Sequence, residues 1–365
     1  MKDKRAQAVL ESIGRSNDPL RNGILDGPPF GRRVLSPRNI VSILLTLVVL
    51  YLVYRELLGL GWSEAWASLR EANAGLFALA FAVFYCSYPL RAVRWEVLLA
   101  NAGYPRRAAF MPSTFEITRI MYLSWFANCV TVARLGDAYR AYLLKRAAGV
   151  SFAVTLGTVL AERILDLAVL VAMMGAGALL LFREVLPPEA MQALSAGLIL
   201  SAAVTACLLV IQRLHSTVER VLPKCLHVHY ARLERGVTGS FCGSSSGGLP
   251  LLVVLSAAGW LIECATLYLT AEAVNAPISV AVALVVALAA SLLSTVPFTP
   301  GGLGFTEAGM MLMLQWPGLG THTAVAITLL FRLVNYWSIV GLGFFLYAFG
   351  SNRNGFTTQR LEHHG

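Results

Sequence analysis

The sequence predicts an all-α polytopic membrane protein with about six full spans, two re-entrant broken-helix hairpins and an inverted-repeat architecture. Hydrophobic residues make up 57% of the 365 and charged residues only 13%, about half the share of roughly 25% found in soluble proteins. Several apolar runs reach the roughly 20 residues that a helix needs to cross a hydrocarbon core. In addition, two similar units each contain a glycine loop followed by an arginine within an apolar run.

The apolar runs define six full spans. We place them at about 39–58, 76–100, 151–182, 190–213, 249–272 and 322–348. Together they form a membrane domain over 39–348. A basic segment, 1–38, precedes this domain and is expected to be flexible, and a tail, 349–365, follows it. The last residues of the tail are typical of an expression tag.

Two further segments, about 115–132 and 278–316, do not fit simple crossings. The first carries several polar and charged residues in a short apolar stretch, and the second is interrupted by the prolines and glycines between Pro297 and Gly302. Proline removes a backbone donor and glycine loosens a helix. Broken backbone at membrane depth is tolerated where it is buried in protein or lines a wet cavity. We therefore predict two re-entrant hairpins.

The distribution of basic residues predicts the orientation. In this topology 23 of the 29 Lys and Arg residues lie on one face, three lie on the other, and three lie within the membrane. Positive loops face the cytoplasm, so both termini are predicted to be cytoplasmic. Repeat one, about 76–182, and repeat two, about 249–348, then run in opposite directions. Anionic lipid headgroups explain the net charge of +9, and nucleic-acid binding is not expected.

The stretch between the repeats, 214–248, is predicted to be a cytoplasmic linker. Its first part, up to Arg235, mixes apolar and basic residues as an interfacial amphipathic helix does. From Gly236 onward the chain is rich in glycine and serine, which is typical of a flexible linker. Three residues of metal-ligand type lie close together here: Cys225, His227 and His229. Such a cluster without further spacing is weak evidence, and we expect no metal and no cofactor.

In unit one, Arg163 follows Gly136 by 27 residues within an apolar run. A charge at the centre of a membrane helix costs roughly 2.5–3.5 kcal/mol on insertion scales, so it faces a polar interior and often marks a pathway. Arg163 can pair with Asp166 three residues on, and Glu162 shares a face with Asp166. The two interpretations are an ion cluster that locks two spans together and a polar cavity in which Arg163 meets an anionic headgroup. We favour the cavity.

In unit two, Arg332 follows Gly304 by 28 residues and has no acid within four residues. Its partner is therefore Glu307 or a bound anion, and both remain open here. Arginine suits phosphate because its planar fork donates two parallel bonds. The turn containing Gly301 and Gly302 opens a short helix, whose N-terminus attracts anions.

These arguments give a predicted substrate-binding set. It includes residues of the stretch Arg134–Arg140, which is the counterpart in unit one of the glycine turn. The set is Arg163, Arg332, Glu307, Gly301, Gly302, Gly304, Asp137, Arg140, Arg134, Glu162, Asp166 and Asn128. Arg91, Arg94 and Trp95 fit an interfacial anchor at least as well as a headgroup contact.

Motifs of known enzymes give no support for catalysis. The chain contains no His-Glu-x-x-His and no Walker-type phosphate loop, and its Gly-x-Ser-x-Gly match at Gly243–Gly247 lies in the glycine- and serine-rich linker rather than in a strand-to-helix turn. We therefore predict no catalytic residues, and we do not expect ATP-driven transport. The intramembrane acids are candidate proton carriers that the sequence does not rank: Asp137, Glu162, Asp166, Glu263 and Glu307.

Four stretches together resemble the lysylphosphatidylglycerol synthase transmembrane family, whose members are also called flippase-like domain proteins. The stretches are Arg91–Trp95, Asn128–Arg140, Glu162–Asp166, and Pro297–Glu307 followed by Arg332. The resemblance covers roughly 39–348 and departs from the pattern at Ala133, where a proline would mirror Pro300. It implies a bacterial or archaeal plasma-membrane protein that moves lipids with polar headgroups between leaflets.

The same resemblance bears on the substrate and on partners. In members that aminoacylate phosphatidylglycerol, a soluble synthase domain follows the membrane part, whereas this sequence stops without one, so aminoacyl transfer is not expected. Other relatives are associated with glycosyltransferases or with isoprenoid-lipid pathways. We therefore expect a flippase or scramblase for a phospholipid, an aminoacyl-phospholipid or a polyprenyl-phosphate glycolipid. The alternative is a membrane enzyme or accessory subunit of a headgroup-modifying synthase. A synthase or glycosyltransferase partner and a homo-oligomer both remain open.

Overall fold

The computed structural model describes residues 69–131, 135–181, 227–242, 248–295 and 299–350. Throughout these ranges the protein is helical and contains no strand, which confirms the all-α class. The predicted spans 39–58 and 190–213, the segment 1–38 and most of the tail lie outside the described residues.

The helices are numbered here in chain order. They are α1 (Ala74–Asn101), α2 (Thr114–Val130), α3 (Gly136–Ala148), α4 (Phe152–Leu181), α5 (His227–Cys242), α6 (Leu249–Ala273), α7 (Val280–Leu293), α8 (Phe305–Gln315), α9 (Thr321–Arg332) and α10 (Ser338–Gly350). A 3₁₀ turn over Pro300–Gly302 precedes α8, and a π-helical turn over Leu333–Trp337 joins α9 to α10.

Long apolar helices stand where spans are predicted. Among the described residues, three helical segments are long and apolar enough to cross a membrane by length and composition: α1, α6 and the continuous stretch Thr321–Leu346. They correspond to the predicted spans at 76–100, 249–272 and 322–348. A further predicted span, 151–182, corresponds to α4. This helix has 30 residues, or about 45 Å at 1.5 Å per residue, and it carries the charged residues of unit one.

The first hairpin consists of α2 and α3, which pack against each other. Helix α2 matches the predicted segment 115–132, whereas α3 lies where no helix is predicted. Helix α3 has Asp137 in its first turn and Lys145 and Arg146 in its last turn, which is the favourable arrangement for the helix dipole. Gly149, in the left-handed region at φ 67°, ends it.

The second hairpin breaks where the proline and glycine residues predict. Helix α7 ends at Leu293 and α8 begins at Phe305. Between them Gly301, Gly302 and Gly304 have φ values of 57°, 68° and 86°, a region that residues with a Cβ rarely adopt. Both hairpins thus have a helix–break–helix order, and each is followed by a helix that carries an arginine. The inverted relation of the two repeats and their depth in a membrane stay predictions.

Helix α5 extends through part of the predicted flexible linker. The chain is helical from Gly236 to Cys242, so the linker prediction is wrong for these residues, while 243–247 and Cys225 lie outside the described residues. The reason is a close helix crossing. A Cβ on Gly236 would clash with the carbonyl oxygen of Val154 in α4, and a Cβ on Gly157 with that of Leu233. Small residues let two helix backbones approach in this way.

Candidate functional site

A cavity of about 90 Å³ lies between the two hairpins and the long helices that pack against them. Its wall takes residues from α1, α2, α4, α6, α7, α8 and α9 and from both irregular turns. The charged side chains in the wall are Arg91, Arg163, Arg332 and Glu263. Three guanidinium groups from three different helices therefore meet at one internal space.

Arg163 reaches the cavity from α4 and is held by the first hairpin. Its Nε donates to Asp137 Oδ2 at 3.1 Å and its Nη2 donates to Asp137 Oδ1 at 2.9 Å, a two-pronged pair. Asp137 also accepts from Asn128 Nδ2 at 3.2 Å. Arg163 exposes 26% of its side chain and Asp137 exposes 19%, so this pair is not sealed. The predicted pairing of Arg163 with Asp166 does not form.

Arg332 reaches the cavity from the last residue of α9. Its Nε donates to Glu307 Oε1 at 2.6 Å, which is one of the two partners left open by the sequence, and its Nη2 donates to the Gly301 carbonyl oxygen at 3.3 Å. Glu307 Oε2 in turn accepts from the Gly304 amide at 2.6 Å and so caps α8. The Tyr336 ring lies 4.5 Å from the Arg332 guanidinium. The pair therefore fixes Arg332 in the cavity wall.

The two units repeat one arrangement. In each, an acid in the first turn of the helix after the break binds the arginine of the following long helix. The sequence separations are 26 residues for Asp137 and Arg163 and 25 residues for Glu307 and Arg332.

Arg91 is the third guanidinium, and of the two alternatives left open for it and its neighbours, the interfacial anchor is wrong. Arg91 is 4% exposed, Arg94 1% and Trp95 0%. Arg91 Nη2 donates to Glu263 Oε1 at 3.0 Å, and its guanidinium lies 4.9 Å and 5.6 Å from the rings of Trp125 and Trp260. A charged residue inside an apolar run, the signal that identified Arg163, also marks Arg91 and Glu263.

Glu162, Asp166 and Arg140 belong to a second cluster of charges, which does not line the cavity. Arg94 Nη2 donates to Glu162 Oε1 at 2.7 Å and to Asp166 Oδ2 at 3.0 Å, and Arg94 Nη1 also binds Asp166. Arg140 Nη2 lies 2.9 Å from Glu162 Oε2, an ion pair without hydrogen-bond alignment. All four side chains are buried. For these residues the structure favours the locking ion cluster, which joins α1, α3 and α4. We call it the buried ion network.

The remaining predicted residues lie in the wall or directly behind it. Gly301 and Asn128 line the cavity. Asp137 and Glu307 bind the arginines that line it, and the Gly304 amide donates to Glu307. Gly302 packs against the end of α7, where a Cβ would lie 2.5 Å from Ser294 Cα. Arg134 lies outside the described residues.

Neutral polar groups complete the wall. Asn335, in the π-helical turn, and Ser291, in α7, line the cavity beside Asn128 and Thr306. Within the described residues the buried Asn128 Oδ1, Thr306 Oγ1 and Asn335 Oδ1 have no hydrogen-bond partner. Buried polar atoms nearly always have one, and π-helical turns recur at functional sites. The wall therefore offers hydrogen-bonding capacity to a guest molecule.

The chain was compared with known proteins. A model of the Lysylphosphatidylglycerol synthase TM region family matches residues 39–343. A UPF0104 membrane protein of Methanocaldococcus jannaschii is 31% identical over 218 residues, which are 60% of this chain and 91% of that protein. A UPF0104 membrane protein of Methanothermobacter thermautotrophicus is 26% identical over 80% of this chain and 88% of its own length. Glycosyltransferase AglD of Haloferax volcanii is 29% identical over 47% of this chain and 26% of its own length.

Proposed function

Because the chain belongs to the lysylphosphatidylglycerol synthase transmembrane-region family, we propose that it binds a lipid with an anionic, phosphate-containing headgroup and moves it between leaflets. The observation that carries this proposal is the convergence of Arg91, Arg163 and Arg332 on one cavity in a membrane protein. The archaeal relatives support a plasma membrane location, in which we place both termini on the cytoplasmic side.

The arginines suit a phosphate because each keeps donors that its carboxylate does not use. A guanidinium has five N–H donors in a fixed fork. Arg163 and Arg332 engage their partners through Nε and Nη2, and Nη1 of each takes part in no hydrogen bond with the described residues. Charge-assisted bonds from these groups to phosphate oxygens are among the strong ones, and they strengthen in a poorly polar interior.

Transport accounts for the site better than chemistry does. The carboxylates around the cavity are each engaged by an arginine, so none is a free general base. Ser291 donates to Glu263 at 3.0 Å, but Arg91 neutralises that carboxylate. Broken helices that surround a charged site near a pseudo-symmetric interface are the usual construction of secondary transporters. The headgroup would cross through the cavity while its acyl chains remain in lipid.

A leaflet-resolved assay in proteoliposomes tests the proposal. The probes are fluorescent phosphatidylglycerol, aminoacylated phosphatidylglycerol and a polyprenyl-phosphate sugar, each scored for movement between leaflets. Arg163→Ala and Arg332→Ala are expected to abolish movement of at least one probe. Arg107→Ala is the matched control, because Arg107 is exposed and does not line the cavity. The proposal fails if no probe moves in the wild type or if both cavity variants behave like the control.

The likeness to glycosyltransferase AglD favours a second candidate, a role in headgroup modification as an enzyme or an accessory subunit. In that case the leaflet distribution of a polyprenyl-phosphate sugar would stay unchanged while its mass changes. Mass spectrometry of the lipids recovered from the same liposomes distinguishes the two candidates.

A further inference from the structure

Among the described residues, the charges of the cavity arginines and of their carboxylate partners balance before any ligand is present. Each of the three arginines pairs with one carboxylate among the described residues. The pairs are Arg91 with Glu263 at 3.0 Å, Arg163 with Asp137 at 2.9 Å and Arg332 with Glu307 at 2.6 Å. A headgroup with one negative charge would therefore bring an unbalanced charge into a poorly polar interior, where such a charge is costly.

Two of the three carboxylates are poorly placed to correct this imbalance. Asp137 receives two hydrogen bonds from Arg163 and one from Asn128. Glu307 receives one from Arg332 and also caps a helix through the amide of Gly304. Protonating either acid would break charge-assisted bonds that hold a helix end and a cavity arginine in place.

Glu263 differs from both. Of the carboxylates in the described part of the chain, it alone lines the cavity. It accepts one hydrogen bond from Arg91 and one from Ser291 Oγ, at 3.0 Å each. A serine hydroxyl can accept as well as donate, so Ser291 can keep its bond when Glu263 becomes a carboxylic acid. Arg91 stays in place as well, since Trp125 and Trp260 hold its guanidinium.

Three arginines line the cavity together with Glu263. The other titratable or charged side chains of the cavity wall are Arg91 from α1, Cys129 from α2, Arg163 from α4, Arg332 from α9 and Tyr336 from the π-helical turn, and Cys264 follows Glu263 on α6. A bound phosphate among these arginines takes over the charge that Glu263 supplies in the unliganded protein.

We propose that binding of an anionic headgroup is coupled to the uptake of one proton by Glu263, an inference that rests on the proposed function of the cavity. A proton from water binds the Glu263 carboxylate. The hydrogen bond from Arg91 Nη2 to Glu263 then breaks, and Arg91 Nη2 donates to a phosphate oxygen instead. Three guanidinium charges then face two carboxylates and one phosphate, so the balance is restored. Headgroup and proton enter the cavity together, which makes the proton gradient a driving force for transport.

Binding of dioctanoyl phosphatidylglycerol to the full chain in detergent tests this coupling. The phosphodiester keeps one negative charge around neutral pH, so its own titration does not interfere. Tryptophan fluorescence gives Kd over a pH series, since two tryptophans line the cavity, and an indicator dye in weak buffer counts the protons taken up. We expect uptake of about one proton per lipid and a Kd that rises by up to about tenfold per pH unit. Glu263→Gln, which cannot take up the proton, is expected to bind with a Kd that does not depend on pH.

The outcomes separate this inference from the proposed function. Binding that Arg332→Ala abolishes, but that takes up no proton and has a constant Kd in the wild type, overturns the coupling and leaves the headgroup site standing. Absence of saturable binding to the wild type overturns both. Persistence of proton uptake in Glu263→Gln shows that another group takes the proton and refutes the assignment. Proton counting on the wild type decides the coupling even if Glu263→Gln does not fold.

Discussion

Replacing Arg94 by methionine tests whether the buried ion network stabilises the fold. In the wild type two arginines balance two carboxylates there. Without Arg94, Glu162 keeps Arg140, but Asp166 loses its ion-pair partner within the described residues. Removing one partner of a buried pair costs roughly 3–5 kcal/mol, because it leaves a buried charge uncompensated. We expect Arg94→Met to lower the free energy of unfolding by about this amount.

The matched double variant, Arg94→Met with Asp166→Leu, separates the lost bond from the stranded charge. It removes one positive and one negative charge and leaves the pair of Arg140 with Glu162 intact. Replacing a buried pair by apolar residues of similar volume is often neutral or even stabilising. The double variant is therefore expected to recover most of the loss. Steric-trap unfolding in bicelles measures both free energies. The reasoning is refuted if Arg94→Met costs less than about 1 kcal/mol, or if the double variant is no more stable than the single one.

Two further predictions concern contacts between elements. Tyr336→Phe removes the hydrogen bond that Tyr336 Oη donates to the Cys129 carbonyl oxygen at 3.1 Å. It is expected to cost about 1 kcal/mol in the same unfolding assay, and no loss would contradict the contact. Gly157→Ala puts a Cβ against the backbone of α5, whereas Gly175→Ala, on the same helix, meets no atom within 4 Å. We expect the first to lower the thermal midpoint in detergent and the second to leave it equal or higher, since alanine favours a helix over glycine by up to about 1 kcal/mol. Equal midpoints would refute the close crossing.

Features that depend on local sequence could be predicted, because hydrophobic length and backbone chemistry act over a few residues. Apolar runs located α1, α4 and α6 to within a few residues, and the prolines and glycines around Pro300 located the break before α8. For Arg332 the sequence narrows the partner to Glu307 or a bound anion, since its own helix offers no acid and Glu307 opens the hairpin helix in the same unit, and the structure shows the contact with Glu307.

Features that depend on which helix faces which could not be predicted. Asp166 stands three residues from Arg163 and is its obvious local partner, but the two side chains point to different neighbours. Arg163 faces α3, and Asp166 faces α1. Arg91 lies in the second half of α1, where long basic side chains often extend to the membrane surface. Only its packing against α6 reveals that it is buried beside Glu263.

Helix α4 contributes charged residues both to the buried ion network and to the cavity wall. Adjacent residues on α4 point in directions about 100° apart, so Glu162 enters the buried ion network while Arg163 enters the cavity wall. Helix α3 supplies the partners of both residues, since Asp137 binds Arg163 and Arg140 pairs with Glu162. Each of the two helices thus supplies one negatively charged and one positively charged residue.

This exchange makes α3 and α4 a unit, because separating them would break two ion pairs, of which the pair of Arg140 with Glu162 is buried. The π-helical turn that follows α9 meets the first hairpin through neutral contacts, among them the hydrogen bond from Tyr336 to the Cys129 carbonyl oxygen. Breaking a neutral hydrogen bond of this kind costs about 1 kcal/mol, against several kcal/mol for a buried ion pair. On the proposed function, an opening movement between the hairpins breaks only the weaker contacts, and Tyr336→Phe is therefore expected to speed lipid movement even as it lowers stability. Slower movement in Tyr336→Phe than in the wild type, measured in the leaflet-resolved assay, would contradict this.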